Sequence, residues 1–131
     1  MKKFIILLAT LLFLFSATTF AEPNANENSA EYLSQKAKES YEAKDYDSAV
    51  ATYTKIIELD PANSEAYGGR GLSYHKQEKY DLAMPDFNWA IELNPQKAEF
   101  YKNRGNVYFR KKRDDLAIAE YRKALEINPN Y

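Results

Sequence analysis

Two hydrophobic patterns follow one another along the chain. In residues 4–15 every position but Thr10 is apolar. Residues 22–29 (EPNANENS) are polar, carry no apolar period, and are expected to form a flexible leader. Beyond them, apolar and small residues recur at a fixed long interval. Ala49, Ala83 and Ala117 stand 34 residues apart, as do Tyr53, Phe87 and Tyr121, and the prolines Pro61, Pro95 and Pro129. Ala37, Gly71 and Gly105 keep the same spacing, with Tyr74 and Tyr108 following the two glycines. A constant period without insertions marks one supersecondary unit used three times, over 30–63, 64–97 and 98–131.

This period, with its small, aromatic and proline positions, resembles the tetratricopeptide repeat, and the resemblance implies two antiparallel helices per unit. The first helices should cover about 31–43, 65–77 and 99–111, and the second about 47–59, 81–93 and 115–127. A small residue lets the two axes approach, and aromatic rings fill the space beside it. Asp47, Asp81 and Asp114 stand near the starts of the second helices, where a side-chain oxygen accepts from a free backbone N–H. Proline cannot donate to the turn before it, so Pro61, Pro95 and Pro129 close the units. One helix pair cannot bury its apolar face alone, so stacking must supply the core.

These positions resemble the tetratricopeptide repeat, in which an aromatic precedes Leu-Gly and Tyr, followed by Ala, Phe and Pro. Repeat two carries Tyr67, Arg70-Gly71, Tyr74, Ala83, Phe87, Ala90 and Pro95. Repeat three carries Tyr101, Arg104-Gly105, Tyr108, Ala117, Tyr121, Ala124 and Pro129. Repeat one departs most: Leu33, Ala37, Ala49, Tyr53 and Pro61 fit, but Ser40 and Ile56 replace the usual Tyr and Ala. The resemblance implies an all-α fold, a right-handed solenoid of six helices, acting as a non-enzymatic scaffold that binds another protein or peptide.

The first 21 residues predict a different fate. Lys2 and Lys3 precede the apolar run, and Thr19 and Ala21 supply small residues before Glu22. That order is a secretory signal peptide, cleaved after Ala21, and places the mature chain in the periplasm or outside the cell. The alternative is an uncleaved inner-membrane anchor on an assembly factor. Even extended to Phe20, the apolar run is 17 residues, at the low limit for a bilayer span. With no cysteine, a lipid anchor, disulfides and thiolate metal sites are not expected. The net charge is −1, and losing Lys2 and Lys3 makes it two units more negative, so nucleic acid is not an expected partner.

The search for catalytic chemistry is mostly negative. There is one histidine, no Gly-rich phosphate loop and no paired-histidine metal spacing, so no cofactor or metal is expected. Asp114-Asp115 is better read as negative charge at a helix N-terminus. His75 falls on the groove side implied by the resemblance, as a ligand contact or, more ordinarily, a solvated surface histidine. Tyr41 and Phe109 fall on that side too, while Tyr53, Tyr67, Tyr74, Tyr101, Tyr108 and Tyr121 occupy core positions. The expected groove contacts are Lys38, Tyr41, Glu65, His75, Lys102, Asn106, Phe109 and Arg110, with Gly68 and Gly69 leaving the middle open.

Some members of the resembled family hold a peptide's C-terminal carboxylate with a Lys/Asn/Asn/Lys/Arg clamp. Its five places here are Ser34, Lys38, Gly69, Glu99 and Asn103, so binding of that type is not expected. Arg70 and Arg104 replace the pattern's leucine, and a buried arginine needs a partner. Asp86 and Glu120, each one residue before the aromatic of the second helix, predict Arg70–Asp86 and Arg104–Glu120 ion pairs. Repeat one has Lys36 and Thr52 there and should lack the pair. Leu82, Pro85 and Trp89 share one stripe of the second helix of repeat two, a candidate docking patch on the convex face. Ile118 and Leu125, with Leu116 or Tyr121, are expected to be partly bare on the last helix and to offer a face for homo-oligomerisation.

Overall fold

The computed structural model describes residues 27–131; the expected signal peptide and most of the polar leader lie outside them. The described residues form six helices and no strand: α1 (Ala30–Glu42), α2 (Tyr46–Leu59), α3 (Ser64–Lys76), α4 (Tyr80–Leu93), α5 (Ala98–Arg110) and α6 (Asp114–Ile127). The all-α solenoid expected from the period is therefore present, with each helix beginning one residue earlier than the pattern predicts. None of these helices is long and apolar enough to cross a membrane.

Ser29, the last residue of the leader, caps α1 by accepting from Tyr32 N at 3.1 Å. The caps of the second helices differ from expectation. Asp45, not Asp47, caps α2 by accepting from Ser48 N, while Lys79 and Arg113, the residues just before α4 and α6, make no side-chain cap. Asp47 and Asp81 instead face the next repeat: Asp47 accepts from Gln77 Nε2 at 2.6 Å, and Asp81 from Lys111 Nζ at the equivalent place one period on. These acids stitch neighbouring repeats rather than close a helix end.

Within each repeat the two helices pack as a pair, α1 on α2, α3 on α4 and α5 on α6. The pairs join through α2–α3 and α4–α5. Ala49, Ala83 and Ala117 are all buried, as are Tyr53 and Phe87. Between the paired helices, Lys44, Glu78 and Lys112 have φ of 61°, 61° and 58°, left-handed values at one place in each repeat. The following residues, Asp45, Lys79 and Arg113, donate backward to Ser40, Tyr74 and Tyr108 carbonyls, closing the helix ends that way.

Both predicted ion pairs form. Arg70 donates from Nε and Nη2 to the two oxygens of Asp86 at 2.9 and 2.8 Å, and from Nη1 to Thr54 Oγ1 at 3.1 Å. Arg104 donates from Nη2 to Glu120 Oε1 at 2.8 Å and from Nη1 to Asn88 Oδ1 at 2.9 Å. Each arginine thus ties its own repeat together and reaches back to the second helix of the repeat before. Burial pushes the Asp86 carboxyl above the usual carboxylate range, and Arg70 draws it back only in part. The same contact raises the Arg70 guanidinium. At the repeat-one equivalent, Thr52 donates to Ser48 O within its own helix.

Candidate functional site

The first helices of the repeats neighbour one another, α1 against α3 and α3 against α5, and line one side of the solenoid. A cavity of about 520 Å³ opens there. From α1 it takes Ser34, Lys38, Tyr41 and Glu42; from α3 Glu65, Ala66, Gly68, Gly69 and Leu72; from α5 Glu99, Phe100 and Asn103. Tyr53, Asn63 and Lys97 complete the wall.

Gly68 and Gly69 do not leave the middle open, as expected from their lack of side chains. A Cβ on Gly69 would lie 2.3 Å from the ring of Tyr53, and one on Gly68 2.5 Å from the ring of Phe100, closer than real carbons approach. The glycines are slots into which rings from repeats one and three fit. Their surface forms the aromatic floor of the cavity.

The polar groups above that floor are unevenly satisfied. Lys97 donates to both oxygens of Glu65, lies 3.9 Å from Glu99, and its Nζ sits 5.0 Å from the Phe100 ring centre. Tyr53 is 8% exposed and Asn103 6%, and their polar atoms, which make no hydrogen bond among the described residues, are not shut in but open onto the cavity they line. An amide or hydroxyl that opens onto a groove and is not used by the chain is free to bond a ligand or water there. Burial first, then Tyr46 and Glu99, raise the Tyr41 hydroxyl above its ordinary pKa. Burial, then Tyr41, Glu65 and Glu99, do the same to Tyr53.

Of the groove contacts expected from sequence, Lys38, Tyr41 and Glu65 line this cavity and the other five lie outside its wall. Lys102 Nζ lies 4.5 Å over the Tyr131 ring, and Asn106 Oδ1 accepts from Tyr121 OH at 2.7 Å. Phe109 is exposed, and Arg110 donates to Tyr80 OH and Glu78 across the seam between repeats two and three. His75 is not the solvated histidine preferred from sequence. Its ring lies 5.6 Å from that of Tyr80, and both ring nitrogens are shut from solvent without a partner. Burial, then Lys76 and Arg110, hold its pKa below the ordinary value.

Sequence reasoning missed Tyr53, Phe100 and Lys97 as site residues. Tyr53 was assigned to packing, and it does pack, but its hydroxyl edge faces the cavity. The five places of the carboxylate clamp all fall in the wall, which gives their departures a physical meaning: Glu99 stands where a cation would be needed.

On the convex face, Leu82 and Trp89 are each about half exposed, and Pro85 is exposed beside them. Trp89 stacks on Tyr67, with ring centres 6.2 Å apart. Pro85 is in the second turn of α4, past the four N–H groups left free at a helix start, so the helix forgoes one internal bond there. Ile118 and Leu125 on α6 are exposed, and Leu116 and Tyr121 are half-buried.

A stack of helix pairs with an aromatic groove defines a helical-repeat protein of the interaction-module class. The family model described as tetratricopeptide repeat matches residues 64–97 and 98–131, and a second, described as TPR repeat, matches 37–78. The chain belongs to the tetratricopeptide repeat family. It is similar to human serine/threonine-protein phosphatase 5, 38% identical over 68 residues, 47% of this chain but only 14% of the phosphatase. Among solved structures it resembles the first TPR of Spaghetti (RPAP3) bound to the HSP90 peptide SRMEEVD, at 30% identity and TM-score 0.75, covering 78% of this chain and 81% of that one. The Arabidopsis OM64 TPR domain is similar at 26% identity and TM-score 0.77, covering 81% and 88%.

Proposed function

We propose that this chain is an exported, non-enzymatic adaptor whose concave groove holds an extended segment of another protein. The observation that carries this reading is the cavity itself. Asn103 and Tyr53 are held firmly in its wall, each more than nine-tenths buried, and turn polar atoms that the described chain does not use toward the open cavity. A peptide backbone supplies the missing donors and acceptors, and the aromatic floor supplies apolar contact. The RPAP3 relative's structure holds a peptide, which supports the same use here.

A photo-cross-linking amino acid at Tyr41 in the full chain should capture the partner, and one at Trp89 should not. Capture at Trp89 alone would move the binding face to the convex stripe of Leu82, Pro85 and Trp89. Export rests on Lys2, Lys3 and the apolar run before Ala21. The mass of the mature protein should begin at Glu22; an intact N-terminus in the membrane fraction would favour the anchored form.

A further inference from the structure

We infer that the groove selects a basic segment: a lysine or arginine side chain of the bound protein sits between Tyr41, Tyr53 and Glu99, while Asn103 holds that segment's backbone. This rests on the groove being the binding face and adds the charge of what it takes.

Three carboxylates, Glu42, Glu65 and Glu99, stand in the wall against two lysines, Lys38 and Lys97. Lys97 shows how this wall treats a cation. It is held by Glu65, lies near Glu99 and rests over the Phe100 ring. That leaves Glu42 without a partner among the described residues and Glu99 engaged only at 3.9 Å. The half-buried ring of Tyr41 and the hydroxyl edge of Tyr53 line the same wall, and a cation beside an aromatic ring and a carboxylate is attracted by both. The hydroxyls of the same two tyrosines have no hydrogen-bond partner among the described residues and face a guanidinium or ammonium as acceptors.

An acidic tail meets the opposite conditions. At the five places of the carboxylate clamp, Ser34 and Gly69 offer no cation and Glu99 offers a like charge. Lys38 alone remains positive there without a partner. Like-charge placement discriminates against a wrong ligand as firmly as attraction favours the right one.

Panning random heptapeptides displayed on phage against the immobilised full chain tests this, with the peptide SRMEEVD as a synthetic comparison. Selected clones should be enriched in lysine and arginine, depleted in aspartate and glutamate, and should outbind SRMEEVD. Glu99→Lys, at an exposed side chain, should weaken the best clone about tenfold and improve SRMEEVD; Glu99→Gln should do so to a lesser degree. Asn103→Ala should weaken basic and acidic peptides alike. Clones that need Asn103 but are acidic or neutral, and indifferent to Glu99→Lys, would overturn the charge preference and leave the groove as the binding face. Clones indifferent to Asn103→Ala and Glu99→Lys together would overturn both.

Discussion

Repeats two and three place an arginine at one position and an acid at another, yet the two pairs are built differently. Asp86 spans Nε and Nη2 of Arg70 with both oxygens, and the third donor goes to Thr54. Glu120, one methylene longer, meets Arg104 only at Nη2. Arg104 Nε and Glu120 Oε2 are left buried with no bond. The difference teaches that matching charges do not make matching ion pairs. What counts in a partly dry setting is how many polar atoms the geometry satisfies.

The largest test removes the arginines. Arg70→Leu strands a carboxylate whose side chain is 5% exposed, and should cost about 3–5 kcal/mol in urea unfolding. Replacing Asp86 with Ala in the same chain should return most of that. Arg104→Leu should cost less, about 1–3 kcal/mol, because Glu120 keeps more solvent and was half satisfied already. Equal losses would break the comparison. Asp86→Glu sharpens it further: it gives repeat two the acid of repeat three, and should cost about 1–2 kcal/mol through one lost hydrogen bond.

A third test concerns the ends of the first helices, where Tyr41, His75 and Phe109 share one place. The His75 pKa is depressed in the fold, so the unfolded chain binds its proton more readily. Its contribution is present above the ordinary histidine value of 6.5 and lost as pH falls through that value toward the folded one. Melting temperature should therefore drop as the buffer is taken from neutral to mildly acid. His75→Tyr, the residue of repeat one, should flatten that drop. Asp45 and Asp81, whose pKa values are also lowered, act only in the more acid carboxylate range.

The smallest expected effect lies in the turns. Lys112 holds a left-handed φ that glycine adopts without a Cβ penalty. Lys112→Gly should raise stability by about 0.5–1 kcal/mol, read from the same unfolding curves.

Much of this was legible in the chain because the period does the aligning. Once Pro61, Pro95 and Pro129 set the register, helix limits follow to within a residue, and Arg70 with Asp86 becomes visible as a pair that recurs at Arg104 with Glu120. The arginine links to Thr54 and Asn88 also lie at one spacing, but they cross between repeats, where periodicity alone does not say which faces meet. The site was harder for the same reason. Gly68 and Gly69 carry no side chain, so the sequence displays only an absence, and the rings that fill it come from residues 15 or more positions away on other helices. Left-handed turns are invisible at Lys44, Glu78 and Lys112 because none is the glycine or asparagine that usually announces one.

The floor beneath the groove belongs to no single repeat. Tyr53 comes from repeat one, Phe100 from repeat three, and both seat in the bare backbone of α3. Loosening of either end of the stack withdraws a ring and dissolves the cavity, so a bound segment and a frayed terminal repeat exclude each other. Occupancy then acts as a clasp: it slows opening at both ends at once, and amide exchange in α1 and α5 should fall together when the groove is filled, though neither helix alone encloses the ligand.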